Sequence, residues 1–237
     1  SAKLVSSFTS DATQPSIDSF AGIDFDANAG IISFTFDEYM IKSMTDPLQV
    51  TIHKDNTGSG TSYDLTSVSA PITSTDRPFT KTLQVKLGEY DLNNLKYRYP
   101  LASSIEYTYI TLKSTFSRDV YNNPIIPVEI TNINAQIKSY VKDVTPPTLL
   151  TYTLDMSTNI MSLVFSEAVK PSSIDFSQIF MQNTAVARFG FRTNLVGSSV
   201  DFGINELSTN AFITIGTSIV ANMKRNGVGL NSTVTLL

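Results

Sequence analysis

Thr82-Leu83-Gln84-Val85-Lys86-Leu87 alternates without a break: Leu83, Val85 and Leu87 share one side, Gln84 and Lys86 the other. Side chains leave a strand on alternate faces, so this stretch reads as a strand with one dry and one wet face. Outward from it, the β-branched and aromatic runs Ile31 to Phe36, Leu48 to Ile52, Ile105 to Leu112, Ile125 to Ile130, Asn159 to Phe165 and Ala211 to Ile215 read as further strands. Between two of these runs, Asp26-Ala27-Asn28-Ala29-Gly30 offers Asn and Gly for positive φ and reads as a hairpin loop. Helical pattern is scarce. In Asp91-Leu92-Asn93-Asn94-Leu95-Lys96, Asp91 is placed to cap a single turn. Many short strands with frequent turn signals predict an all-β chain of sandwich domains.

Composition narrows the chemistry. The 237 residues include 29 Ser and 28 Thr, no Cys, no Trp and one His, and charged residues make up 16%. Cysteine nucleophiles, thiolate metal sites and His-rich zinc sites are excluded. The net charge is −4 with Lys and Arg scattered, which argues against a nucleic-acid surface. No apolar run reaches the roughly 18 residues of a membrane helix, so no membrane insertion is expected. The opening at Ser1, without Met or a signal-peptide pattern, is expected of a processed product or a fragment.

The chain repeats itself. Ser7-Phe8-Thr9-Ser10-Asp11-Ala12-Thr13-Gln14-Pro15 matches Ser139-Tyr140-Val141-Lys142-Asp143-Val144-Thr145-Pro146-Pro147 at an offset of 132. Gly30-Ile31-Ile32-Ser33-Phe34-Thr35-Phe36-Asp37-Glu38 matches Asn159-Ile160-Met161-Ser162-Leu163-Val164-Phe165-Ser166-Glu167 at 129. Val85-Lys86-Leu87-Gly88 and Asn94-Leu95-Lys96 match Ile213-Thr214-Ile215-Gly216 and Asn222-Met223-Lys224 at 128. Three blocks in one order predict residues 1–9 as the tail of a preceding repeat and 10–141 as a complete β-sandwich repeat. Residues 142–237 are then a second repeat lacking its C-terminal strand, the counterpart of residues 113–141. A sandwich without that strand has an open edge, which a continuing polypeptide or a strand from another subunit would close.

These residues resemble the bacterial Ig-like domain of the SbsA type. The resemblance rests on the opening Asp143-Val144-Thr145-Pro146-Pro147, and on Asp11 to Pro15 with Gln14 in place of the first Pro. It also rests on Phe165-Ser166-Glu167 followed by Val169, and on Phe36-Asp37-Glu38 with Met40 in place of Val. A third marker is Asp119-Val120-Tyr121-Asn122-Asn123-Pro124, where Asn122 replaces a Gly and tolerates the same left-handed backbone. Residues 54–80 and 182–210 depart from the pattern. The resemblance implies tandem Ig-like β-sandwiches in extracellular arrays such as S-layers, adhesin stalks, cell-wall proteins and surface filaments, including the flagellar hairs called mastigonemes.

No residue is assigned to catalysis or to cofactor binding, and no enzyme activity is expected. His53 stands at the end of a strand with no nucleophile and orienting acid in its local sequence, and reads as a surface or strand-edge side chain. The recurring acids Asp26/Asp155 and Glu38/Glu167 read as structural. Calcium is the one cofactor considered, with Asp143, Glu38 and Asp119 as oxygen ligands and Asp11 as the counterpart of Asp143; turn capping is the competing role. Asn231-Ser232-Thr233 is an N-glycosylation triplet. Thr145-Pro146-Pro147 reads either as a stiff extended junction or as an ordinary interdomain linker. The expectation is therefore a structural, extracellular cell-surface protein that builds a filament, stalk or layer. Its expected partners are copies or neighbouring repeats of itself in a homopolymer, with glycans as a further class. The alternative is a carbohydrate-binding or adhesive module using aromatics such as Tyr97 and Tyr99, or an accessory domain of a secreted hydrolase.

Overall fold

The computed structural model describes residues 4–73, 77–183, 190–201, 208–228 and 235–236. The chain divides into two compact units, Ser1–Thr145 and Pro146–Leu237.

Unit 1 is a β-sandwich. Its strands are β1 (Ile23–Asp26), β2 (Ile31–Ile41), β3 (Val50–His53), β4 (Ser62–Asp64), β5 (Ala70–Pro71), β6 (Phe79–Lys86), β7 (Tyr109–Leu112) and β8 (Ser139–Val141). One sheet has the order β5-β6-β2-β1-β8 and the other β4-β3-β7. The alternation that identifies β6 buries Leu83 and Val85, which meet Phe25, Ile32 and Phe34 of the same sheet and Val50, Ile52, Ile110 and Leu112 of the other in one core. Phe116, on the segment after β7, closes that core with its ring 4.8 Å from Phe34 and 6.5 Å from Phe36. Between β6 and β7 lies a helix, α1 (Glu89–Tyr97), longer than the single turn expected. Acidic Glu89 and Asp91 in its first turn and Lys96 in its last complement the helix dipole.

Unit 2 repeats this plan. Its strands are β9 (Leu149–Asp155), β10 (Ile160–Val169), β11 (Phe180–Gln182), β12 (Arg192–Asn194), β13 (Ser199–Asp201), β14 (Ser208–Thr214) and β15 (Thr235–Leu236), with helix α2 (Thr217–Arg225). The sheets run β13-β14-β10-β9 and β12-β11-β15. The repeat extends to irregularities. The β2·β6 pairing shifts register between Thr35 and Met40, and the β10·β14 pairing shifts between Val164 and Val169, 129 residues on. Gly30 (φ 64°) and Asn159 (φ 62°) take the same left-handed turn position, which Asn tolerates better than most residues.

Several expected elements differ. The run 105–112 becomes a strand only from Tyr109, after a 3-10 turn over Ile105–Tyr107. Ile125 to Ile130 forms no strand: Pro124 and Pro127 remove amide donors, and Val128 alone bridges to Leu112. Asp91 is not a cap. It lies inside α1, whose cap position is Gly88. Helix α2 was not among the expected elements: its buried residues Ile219, Val220 and Met223 fill too few positions of a nine-residue segment to display a helical period.

Candidate functional site

Each unit, by itself, fastens the chain on its own side of Pro146 and Pro147. On the hairpin turn between β1 and β2, Asn28 Oδ1 accepts hydrogen bonds from the Val144 amide (3.0 Å) and the Thr145 hydroxyl (3.0 Å). Asp143 accepts the Thr145 amide at 2.9 Å and pairs with Lys96 Nζ of α1 at 2.8 Å. Beyond the prolines, the Thr148 amide donates to the Ser166 hydroxyl (2.9 Å) and the Ser166 amide to the Thr148 carbonyl (2.8 Å). Only Pro146 and Pro147 stand between the last anchored residue of unit 1 and the first of unit 2, and proline fixes φ at both. Unit 1 opens with the same chemistry: the Thr13 amide donates to Asp11 (2.9 Å), and the Ser16 amide and hydroxyl donate to Asp37 (2.9 and 2.8 Å).

The four acids considered for a cation separate. Carboxylate oxygens of Asp11, Glu38 and Asp119 lie within 4.8 Å of one another, whereas Asp143 is engaged with Lys96. Three carboxylates are a hard-oxygen set of the kind calcium takes. Two of them already cap turns: Asp11 accepts the Thr13 amide, and Asp119, fully buried, accepts the amides of Tyr121 (2.9 Å) and Asn123 (2.7 Å) and the Asn123 side-chain amide (2.8 Å). That turn has Asn122 at φ 71°, the left-handed geometry expected of the residue replacing Gly. Burial, together with Asp11, Asp37 and Asp119 nearby, raises the Glu38 pKa. The recurring Asp26 and Asp155 also close turns, accepting Ala29 N (2.7 Å) and Ser157 N (2.8 Å).

Other residues singled out from the sequence fall as follows. His53 is half-buried on β3, the middle strand of its sheet rather than an edge, with Nε2 3.0 Å from the Thr111 hydroxyl. Burial lowers its pKa. Tyr99 is exposed, whereas Tyr97 at the end of α1 is half-buried. A groove of about 350 Å³ is lined by Asn56, Tyr109, Ile130, Thr131, Asn132, Ile133 and Gln136. Asn231 lies outside the described residues. Among those described, no helix is long and apolar enough to cross a membrane.

Sequence reasoning missed the polar centre of unit 1. Asp91, fully buried, accepts the Tyr63 hydroxyl (2.6 Å), the Thr66 amide (3.1 Å) and hydroxyl (2.8 Å), and the Ser69 hydroxyl (2.5 Å). It thereby fastens the loop after β4 to α1. Arg98 lies over the Tyr63 ring at 4.8 Å. At the matching position unit 2 has Ile219, buried among apolar neighbours, so the same joint is made there by hydrophobic contact.

No family model matches this chain, and no curated protein matches it. Among solved structures, the N-terminal part of the bacterial S-layer protein SbsC aligns at 12% identity with a TM-score of 0.28, over 86% of this chain and 44% of that one. The chain thus spans less than half of that structure.

Proposed function

We propose that this chain is a stretch of a structural extracellular repeat protein that builds or extends a surface filament, stalk or layer through repeated contacts with copies of itself. The observation that carries this reading is the recurrence of one sandwich in two units, down to the register shift at Thr35/Met40 and Val164/Val169. Modules repeated in series, each stable largely by itself, are how quasi-linear arrays are made. The connector supports the reading, because two prolines between hydrogen-bonded anchors leave few rotatable bonds. The mechanism is passive: modules supply length, junctions limit bending, and exposed edges and loops make contacts. It uses no catalysis and no cofactor.

The test is the intact mass and sedimentation of the native polypeptide taken from its source. A mass well above that of 237 residues, or assembly of the chain into larger species, is expected. A carbohydrate-binding module is the competing reading, favoured by exposed Tyr99 and by the groove lined with Asn56, Tyr109 and Gln136. A native monomer of this size that binds defined oligosaccharides in a glycan screen would establish the module and overturn the array.

A further inference from the structure

In unit 1 the larger sheet ends on β8, which lies parallel to β1 with Asp24 opposite Ser139, Phe25 opposite Tyr140 and Asp26 opposite Val141. Lys138 N donates to Ile23 O (2.7 Å), Ala27 N donates to Val141 O (2.9 Å), and Tyr140 meets Phe25 edge-on at 5.8 Å. In unit 2 the counterpart of β1 is β9, since the Asp26–Ile31 pairing recurs as Asp155–Ile160. Among the described residues, β9 forms the outer edge of its sheet, beside β10 alone. Leu154 is only partly covered where its counterpart Phe25 is fully buried, and Leu150 is 64% exposed.

A strand of the required type is present elsewhere in the chain. Ser7-Phe8-Thr9 is in phase with Ser139-Tyr140-Val141. Each precedes the same turn, in which Asp11 accepts the Thr13 amide and Asp143 the Thr145 amide, both at 2.9 Å. Residues 4–9 lie outside any helix or strand, and Leu4, Val5 and Phe8 are 98%, 74% and 76% exposed. Three bare apolar side chains in six residues suit a strand that has yet to find its sheet. The receiving unit also carries the matching charge. Lys224, exposed in the last turn of α2, occupies the position of Lys96, the residue that holds Asp143.

We propose that residues 4–9 of one copy add to β9 of a second copy as a parallel strand, with Ser7 opposite Thr153, Phe8 over Leu154, Thr9 opposite Asp155, and Asp11 against Lys224. Copies then join head to tail through the chemistry that joins unit 1 to unit 2. Strand addition draws affinity from main-chain hydrogen bonds and specificity from alternate side chains, and a head-to-tail contact that does not close on itself propagates as a filament. This deepens the array reading and rests on it for the identity of the partner.

Sedimentation velocity of the 237-residue chain over a concentration series tests it. Species growing stepwise with concentration are expected. F8D, at an exposed position, is expected to abolish them. D11K and K224D alone should each weaken association by about tenfold or more, the scale of losing a close interfacial charge pair. Combined, they should restore it. A monomer at every concentration overturns strand addition while leaving the array reading to the mass of the native polypeptide. Assembly indifferent to F8D and to the charge exchange overturns it as well. So does a longer form whose own following residues occupy β9 and leave residues 4–9 free.

Discussion

Gly88 and Gly216 open the two helices against the same obstacle. A Cβ on Gly88 would stand 2.6 Å from the Val68 carbonyl oxygen, and one on Gly216 would stand 2.6 Å from the Gly197 carbonyl oxygen. The Gly88 amide is held by the Ser69 hydroxyl (3.2 Å) and the Gly216 amide by that of Ser198 (3.1 Å). The obstacle is backbone, so neither site has room to give. G88A and G216A are each expected to lower the stability of their own unit by about 1–3 kcal/mol, the usual scale of overpacking. Denaturant titration of each variant measures this, and an unchanged midpoint would show that the helix starts move freely.

Asp91 gathers four donors in a site closed to water. D91A leaves them without an acceptor, and about 1–3 kcal/mol of unit 1 stability is expected to go with it, the scale of leaving buried donors unsatisfied. Unit 2, which has Ile219 there, should be untouched. Chemical denaturation followed by residue-resolved hydrogen exchange separates the two units.

Glu38 carries the electrostatic strain of the acidic trio. Its folded pKa is raised by burial first and then by Asp11, Asp37 and Asp119. The fold therefore favours the protonated form: that contribution is complete below the ordinary value of 4.5 and is lost as pH rises through the raised one. E38Q should raise the melting temperature of unit 1 at neutral pH in the presence of a chelator, with the gain vanishing in acid. A fall at neutral pH would mean that the ionised carboxylate is needed.

Asp155 behaves oppositely. The Ser157 hydroxyl and amide hold its pKa down to about 2. Its stabilising effect is present above the ordinary carboxylate value of 3.8 and disappears as pH falls through about 2. Unit 2 of the D155N variant should be less stable than the native unit at pH 7, and the two should converge in strong acid. Melting curves across an acid series check this.

What could be read in advance was local or periodic. The alternation at Thr82 to Leu87 gives its strand because inside and outside differ residue by residue. The pairing of Gly30 with Asn159 was readable because both satisfy one left-handed turn. Carrying α1 across the repeat would have placed α2, since Asn222-Met223-Lys224 lies within it. Asp91 could not be read, because its partners Tyr63, Thr66 and Ser69 stand 22 to 28 residues upstream and meet it only when loop and helix pack. Glu38 and Asp119 are nameable from the sequence together with Asp11 or Asp143 as one oxygen set, but that Asp11 joins them while Asp143 pairs with Lys96 belongs to the tertiary structure.

The most direct test of the central claim, that this chain is repeated material of a surface array, is negative-stain imaging of the native polypeptide from its source. Thin rods or filaments built of bead-like modules are the predicted result. Compact, isolated particles no larger than these two units would contradict it.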